Sequence, residues 1–551
     1  MRLVTISLLS RPIHKFKNYM NIFNKVCLTA IAVLAFNAGN AQKKTSAKTV
    51  DYNIFPVKKA ELTKPERERW SHLDLAKDTL PGMAVDRAYS EILKDKKGSK
   101  IIVAVIDSGV DIEHEDLQSV VWVNKKEIAG NKIDDDKNGY VDDIHGWNFL
   151  GDANDENLEM TRILKKGDNG SAEYRSAKAD YEKRYQEALS GKQQVDFIFH
   201  SLNIISQHLK KEDYTVDEIR AIKPASQDLA QAQMVMLSVI EQTGPDFRSE
   251  LNDFKKQVDD MINVNLNLEF NGRAIVGDNP EDINDRNYGN NNVIGLKKED
   301  ADHGTHVAGI IAQVRNNKKG GDGVANNVEI MAIRAVPNGD EYDKDIALAI
   351  RYAVDNGAKV INGSFGKSYS PNRQWVFDAI KYAASKDVLI VHAAGNDGHN
   401  IDEPGNNNYP NDSEDGKTEI SNNLLTIGAL APTLNEGIVA EFSNYGKVNV
   451  DIFAPGKDIY ATVPNNGYKY HQGTSMASPN AAGVAALIRS YYPKLTAAQV
   501  KQIMMESGTA LSKEVELGTI KEKKSFSEAS KSGKFVNAYN ALRMAETASK
   551  K

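Results

Sequence analysis

Short, β-branched apolar runs alternate with stretches of helical period over two separated parts of the chain. Residues 101–106, 328–335, 358–362, 388–394, 424–429 and 448–453 read as strands. The first of these contains no polar residue, as expected of a strand buried on both faces. Residues 345–356 and 372–386 read as helices between strands, and 536–545 as a closing helix. Such alternation predicts an α/β domain with a mostly parallel sheet covered by helices on both sides. From about 155 to 286 the period changes. Tyr174, Ala177, Tyr181, Tyr185 and Ala188 recur at helical spacing, as do Ile198, Leu202, Ile205 and Leu209, and then Leu251, Phe254, Val258 and Met261. Pro224 and Pro245 mark breaks between segments. This predicts an all-α insertion of several antiparallel helices, with apolar stripes that form its own small core.

Composition adds an address. The chain of 551 residues is 41% apolar and 26% charged, a soluble globular balance with room for more than one domain. Lys15, Lys17 and Lys25 precede an apolar run from Val26 to Phe36, and Ala38-Gly39-Asn40-Ala41 follows with small residues. The run is too short to span a bilayer, so residues 1–41 are expected to be a cleavable signal peptide, with Met20 as an alternative start. The protein is therefore expected to be exported, either to a periplasm or out of the cell, with no membrane span once the signal is removed. The lone cysteine, Cys27, lies inside that segment, which leaves no disulfide, thiol nucleophile or cysteine metal site. Loss of residues 1–41, which carry five basic and no acidic residues, takes the formal charge from −6 to −11. That acidity argues against nucleic acid as a partner. Residues 42–97 begin polar and Lys-rich and then predict a short helix near 85–93. Part of this segment is expected to be trimmed. Residues 518–534 read as a Lys-rich solvated loop, and 546–551 as a tail.

The candidate chemistry sits where apolar elements end. Gly473-Thr474-Ser475-Met476-Ala477-Ser478-Pro479 opens a helix of Ala, Gly, Val, Leu and Ile with no charge before Arg489. A helix apolar on all sides is buried, so Ser475 projects from rigid core beside free N–H groups and a positive dipole end. Asp107 ends the strand 101–106, and functional crevices of parallel sheets lie at such carboxyl ends. His303 begins a small-residue helix in Asp302-His303-Gly304-Thr305-His306-Val307-Ala308-Gly309, and Asn396 follows Ala394-Gly395 at another strand end. A nucleophile, a base, an orienter and an oxyanion donor are thus all present. Each also has a structural reading: Ser475 as a helix cap, Asp107 as a turn cap, Asn396 as a turn residue. Separately, the acidic loop 134–143 offers Asp134, Asp136, Asn138 and Asp142 as oxygen ligands for a structural calcium ion. Its twelfth position is His145, unlike a helix-loop-helix calcium site, and a solvated acidic turn is the other reading.

Val105-Ile106-Asp107-Ser108-Gly109, His303-Gly304-Thr305-His306-Val307-Ala308-Gly309, Ala394-Gly395-Asn396 and Gly473–Pro479 together resemble the four signature blocks of subtilisin-like serine peptidases. The Asp, His, Ser order is the one found in subtilisin. The resemblance covers 98–154 and 287–545. It implies a three-layer α/β/α sandwich and peptide-bond hydrolysis through an acyl-enzyme, with no cofactor needed for the chemistry. Peptides or proteins would be the substrates. It also implies the triad Asp107, His303 and Ser475, with Asn396 as oxyanion donor. Ser364, Phe365 and Gly366 would pair with substrate backbone, Ala394 and Gly395 would line the pocket, and Gly473 and Thr474 would shape the turn at the nucleophile. The chain departs from the family in its 196-residue interval from Asp107 to His303, which the 155–286 insertion accounts for, and in lacking an evident folding pro-domain. Asp302, beside the base, suggests a mild preference for basic residues near the scissile bond.

Two other functions fit parts of this pattern. One is a non-catalytic peptide-binding module on the same fold. The other is a metal-dependent hydrolase built on His303, His306 and the acidic loop, although the glutamate of a zinc helix is missing between those histidines.

Overall fold

The structure, a computed structural model, describes residue 58, residues 60–244 and residues 247–550. The signal segment 1–41, with Cys27 and Met20, lies outside the described residues. Among the described residues, no helix is long and apolar enough to cross a membrane. Contacts divide the chain into two units.

The larger unit, residues 47–159 and 271–551, is built on one sheet. In chain order its strands are β1 (Ile101–Asp107), β2 (Gly146–Asn148), β3 (Val328–Arg334), β4 (Ala358–Gly363), β5 (Leu389–Ala393), β6 (Leu424–Leu430) and β7 (Ile452–Pro455). A hairpin of β8 (Ile459–Val463) and β9 (Gly467–His471) follows, then β10 (Thr509–Ala510), a hairpin of β11 (Glu514–Leu517) and β12 (Glu522–Ser525), and β13 (Lys534–Phe535). The main sheet runs β10-β13-β7-β6-β5-β4-β1-β3-β2. Every pairing in it is parallel except β10 with β13. Six helices matter here: α1 (Asp302–Ala312), α2 (Asp343–Asp355), α3 (Arg373–Ser385), α4 (Thr474–Tyr491), α5 (Ala497–Ser507) and α6 (Ala538–Ala548).

The alternation within β1 explains the layering. Val103 and Val105 join a core with Val307 and Ile311 of α1, Val484 and Leu487 of α4, and Ala541 of α6. Ala104 and Ile106 face the other way, into a core with Ile346 and Ile350 of α2 and Phe377 and Ile380 of α3. Successive strand residues point to opposite faces, so a strand apolar throughout needs helices on both sides. The three-layer α/β/α architecture expected from the sequence is what forms. The carboxyl ends of β1, β4 and β5 are neighbours, which brings Asp107, Ser364 and Asn396 to one rim.

Several local expectations change. Residues 518–534 are not simply a solvated loop. Val515 and Leu517 alternate inward from the β11/β12 hairpin, and Phe526 and Ala529 are buried in the main core, while Lys521 and Lys523 are exposed. The strand expected at 448–453 begins only at Ile452, after a turn that leaves Val448 exposed. The helix near 85–93 forms as Val85–Ala88 and passes into a π turn over Tyr89–Leu93. The segment around it is part of the core. Trp70, Leu75, Leu80, Met83, Val85, Ala88 and Leu93 belong to the same cluster as α1 and α4. The Trp70 indole N–H is shared between the Lys457 and Asp458 carbonyls.

The smaller unit, described over Met160–Phe270, is helical. Tyr174–Ala188 and Ile198–Leu209, whose periods read as separate segments, lie in one 38-residue helix, Ala172–Leu209, capped by the Ser171 hydroxyl. Gly191 does not interrupt it, being buried in the helix interior. Helices Val216–Ala221, Gln227–Thr243 and Phe247–Asp260 follow. Ile198, Ile205, Ile219, Met236, Val239 and Leu251 are among the residues of its own core. Residues 271–286 belong by contacts to the larger unit, where Arg273 is buried between Asp278 and Asp345.

Candidate active site

Asp107 is the last residue of β1 and His303 the second of α1. Their approach depends on Gly304. A Cβ there would lie 2.1 Å from the Gly109 carbonyl oxygen and 3.1 Å from Asp107 Oδ1, so any larger residue would push the helix off the strand end. With glycine in place, His303 Nδ1 reaches Asp107 Oδ1 at 2.7 Å. The same oxygen accepts the Ser108 N–H at 2.8 Å. A buried carboxylate (1% exposed) offers only acceptors, so His303 carries its proton on Nδ1 and presents a free lone pair on Nε2. Close packing around the ring disfavours its charge, but the Asp107 carboxylate outweighs that and holds the imidazole above its ordinary value of 6.5.

Ser475 is the second residue of α4 and stays partly exposed. Pro479 was expected in the first turn, where a missing N–H has no consequence. It stands instead four residues after Ser475, inside the helix. Its missing N–H therefore leaves the Ser475 carbonyl without a helical partner. The Ser364 hydroxyl fills that place at 2.8 Å. Ser364 is held in turn by Asn362 Nδ2 at 2.9 Å, and Asn362 Oδ1 accepts the Ser478 hydroxyl at 2.8 Å. The Ser475 hydroxyl donates to the Ser364 carbonyl at 3.1 Å, so it must rotate away from that carbonyl to serve His303.

Two potential donors lie at the start of this helix, the Ser475 N–H and the Asn396 side-chain amide. Asn396 Oδ1 accepts both the Thr474 N–H (2.7 Å) and the Thr474 hydroxyl (2.9 Å), which fixes the amide and turns Nδ2 outward. A Cβ built on Gly473 would lie 3.5 Å from Ser475 N and 3.6 Å from Asn396 Nδ2. The missing side chain of Gly473 thus leaves open a space that Ser475 N and the Asn396 amide, whose Oδ1 is also 3.6 Å away, both border. Two such donors are what a developing oxyanion requires.

The remaining residues expected at the site divide by how occupied they are. Gly366 is exposed, whereas the Phe365 carbonyl accepts His392 Nε2 at 2.8 Å and the Phe365 ring lies edge-on to His392. Ala394 is buried with its N–H on Ile427 and its carbonyl on Asn444, and therefore supports the wall without offering a polar group. Gly395 donates to Thr474 Oγ1 and approaches Asn408 closely. Asn362, Asn408 and Asn444 were not anticipated. Their one signal is a polar residue at the end of an apolar run or between turns, which does not distinguish them from ordinary loop asparagines.

Asp302 was read as an open negative charge. In the structure His471 Nε2 meets its Oδ1 at 2.6 Å, so this carboxylate already has a partner within the protein. The metal-hydrolase reading fails on geometry. His303 is turned to Asp107, and His306 is fully buried with Nε2 on the Lys469 carbonyl. Among the described residues, the group suited to a metal is Glu127, Asp134 and Asp136, whose oxygens lie within 4.8 Å of one another and include no histidine. Glu127 was missed because it precedes the dense acidic run. Asp142 lies outside that group, and Asn138 sits in the turn beside it. The Asp142 carboxylate accepts the Gly130 and Lys132 N–H groups, and Asn138 Oδ1 accepts the Tyr140 N–H within its own turn.

Comparison with known proteins gives this arrangement a lineage. Residues 98–524 match the Subtilase family. The chain belongs to the subtilase family. It is 43% identical over 190 residues to the Thermophilic serine proteinase of Bacillus sp. (strain AK1), covering 34% of this chain and 42% of that protein. It is 40% identical over 189 residues to Thermitase of Thermoactinomyces vulgaris (34% and 61%), and 36% identical over 214 residues to Subtilisin DY of Bacillus licheniformis (38% and 71%). The matched part of this subtilase thus spans about two fifths of the first of these proteins and three fifths of the second.

Proposed function

We propose that this subtilase is a serine endopeptidase that cleaves peptide or protein substrates through an acyl-enzyme. The observation that carries the reading is a histidine whose Nδ1 is fixed by a buried aspartate, on the same rim as a serine at a helix start whose N and the Asn396 amide border the open space at Gly473. Ser475 Oγ attacks the scissile carbonyl while His303 Nε2 takes its proton. The oxyanion sits between Ser475 N–H and Asn396 Nδ2. Collapse expels the amine, which takes the proton back from His303, and water then repeats the sequence to release the acid. Asp107 keeps the tautomer and steadies the imidazolium. The exposed backbone of Gly366 and the Ser364 carbonyl, released when Ser475 rotates, pair with substrate as an added strand.

Cleavage of an internally quenched peptide across pH tests this. The base must be neutral to accept a proton, and its pKa is raised, so kcat/KM is expected to climb with pH along a limb centred above 6.5. Asp107→Asn is expected to cut turnover by about 10⁴-fold through the wrong tautomer, a size known from serine peptidases with this triad. A wild-type limb at or below 6.5 would contradict the assignment.

Glu127, Asp134 and Asp136 hold a structural calcium ion in this reading, because clustered carboxylates are hard ligands that repel one another without a cation. Calcium is expected to raise the melting temperature by a few degrees over chelated protein, and the double variant Glu127→Gln/Asp134→Asn to abolish the difference. Equal melting with and without calcium would overturn this site. Residues 1–41 direct export, either to a periplasm or out of the cell. A mature N-terminus after Ala41 in an exported fraction is the expected result.

A further inference from the structure

His471 lies four residues before Ser475, at the end of β9, and Asp302 immediately precedes His303 at the start of α1. His471 Nε2 faces Asp302 Oδ1 at 2.6 Å, and its Nδ1 faces the Tyr470 carbonyl oxygen at 3.0 Å. A carboxylate and a carbonyl both accept and neither donates. Each contact calls for a proton on the ring nitrogen that makes it. It packs 4.3 Å, centroid to centroid, from His306. His306 donates through Nε2 to the Lys469 carbonyl and leaves Nδ1 buried without a partner. Burial, followed by the nearby His471, holds His306 well below its ordinary value, so it stays neutral. The His471 ring thus rests on a neutral one and reaches the carboxylate next to the base.

We propose that Asp302 and His471 are positioning residues: a second Asp–His couple beside the triad that ties the start of α1 to β9 and governs the field Asp302 exerts on His303. This rests on the peptidase reading above. The charges that bear on His303 are Asp107 on β1 and Asp302 on α1, and Asp302 is faced in turn by His471 and Lys469 on β9 and by His306 on α1. Asp302 favours the imidazolium, and His471, hydrogen-bonded to Asp302, bears on the base through that carboxylate. The couple also joins the element carrying the base to the strand that leads into the turn of the nucleophile. Both side chains are partly exposed (38% and 27%), so the couple can be altered without opening the core.

The test is the acid limb of kcat/KM in wild type, His471→Gln, Asp302→Asn and the double variant, with melting curves to confirm folding. One unpaired charge about a helical turn from the ring, under near-aqueous screening, moves the limb by roughly half a pH unit. His471→Gln leaves Asp302 unanswered and moves the limb upward. Asp302→Asn moves it downward, and in the double variant the upward shift of His471→Gln is absent. A folded His471→Gln enzyme with an unmoved limb overturns the proposal, even if its kcat is lower, because a purely structural role would reduce rate without shifting the limb. A folded wild type that neither cleaves peptides nor reacts with a fluorophosphonate overturns the peptidase reading itself, and this proposal with it.

Discussion

Ser475→Ala is expected to lower turnover by about 10⁶-fold while leaving the melting temperature within a degree or two of wild type. The magnitude is that found when the same serine is removed from subtilisin. The selectivity follows from the structure. The hydroxyl makes one hydrogen bond, to the Ser364 carbonyl, and the packing of α4 begins with its neighbours Thr474 and Met476. Asn396→Ala behaves differently. Its oxygen anchors both the Thr474 N–H and hydroxyl, so that variant loses the oxyanion donor and also the link holding the start of α4. A loss of about 10²–10³ in kcat, the range known for this donor in the family, is expected together with a lower melting temperature. Asn396→Asp keeps the oxygen and removes the donors. It is expected to recover stability without recovering rate.

Trp70→Ala carries the largest expected cost to stability, about 3–5 kcal/mol. Trp70 is 1% exposed, shares one core with α1, α4 and α6, and donates its indole N–H to the Lys457 and Asp458 carbonyls. Further along the same segment, Met83 accepts the N–H of Ala538 at the start of α6. The stretch from Trp70 to Leu93 is therefore built into the peptidase body, and trimming within it would open the main core. Urea unfolding is the check: a midpoint shift matching several kcal/mol supports an integral segment, and an unchanged midpoint would mark it as dispensable.

The architecture and the four functional blocks were legible because each depends on local pattern. A polar-free run such as 101–106 needs cover on both faces, and chemistry follows at its end. What escaped notice depends on long-range contact. Asn396 could be named from its block, but its orientation is set by Thr474, 78 residues away. Pro479 was visible, yet its effect on the Ser475 carbonyl emerges only when Ser364 arrives from β4. Glu127 stands outside the acidic run it completes, and His471 meets Asp302 across 169 residues. The β11/β12 hairpin was hidden because its lysines dominate the composition while Val515, Leu517 and Phe526 supply the buried side.

The central claim is that Ser475 is a nucleophile activated by His303. Mass spectrometry of the protein treated with a fluorophosphonate measures this most directly. The account predicts one phosphonyl adduct, mapped to Ser475, that is absent in Ser475→Ala and in folded His303→Ala. An unlabelled, folded wild type, or an adduct that persists in Ser475→Ala, would contradict it.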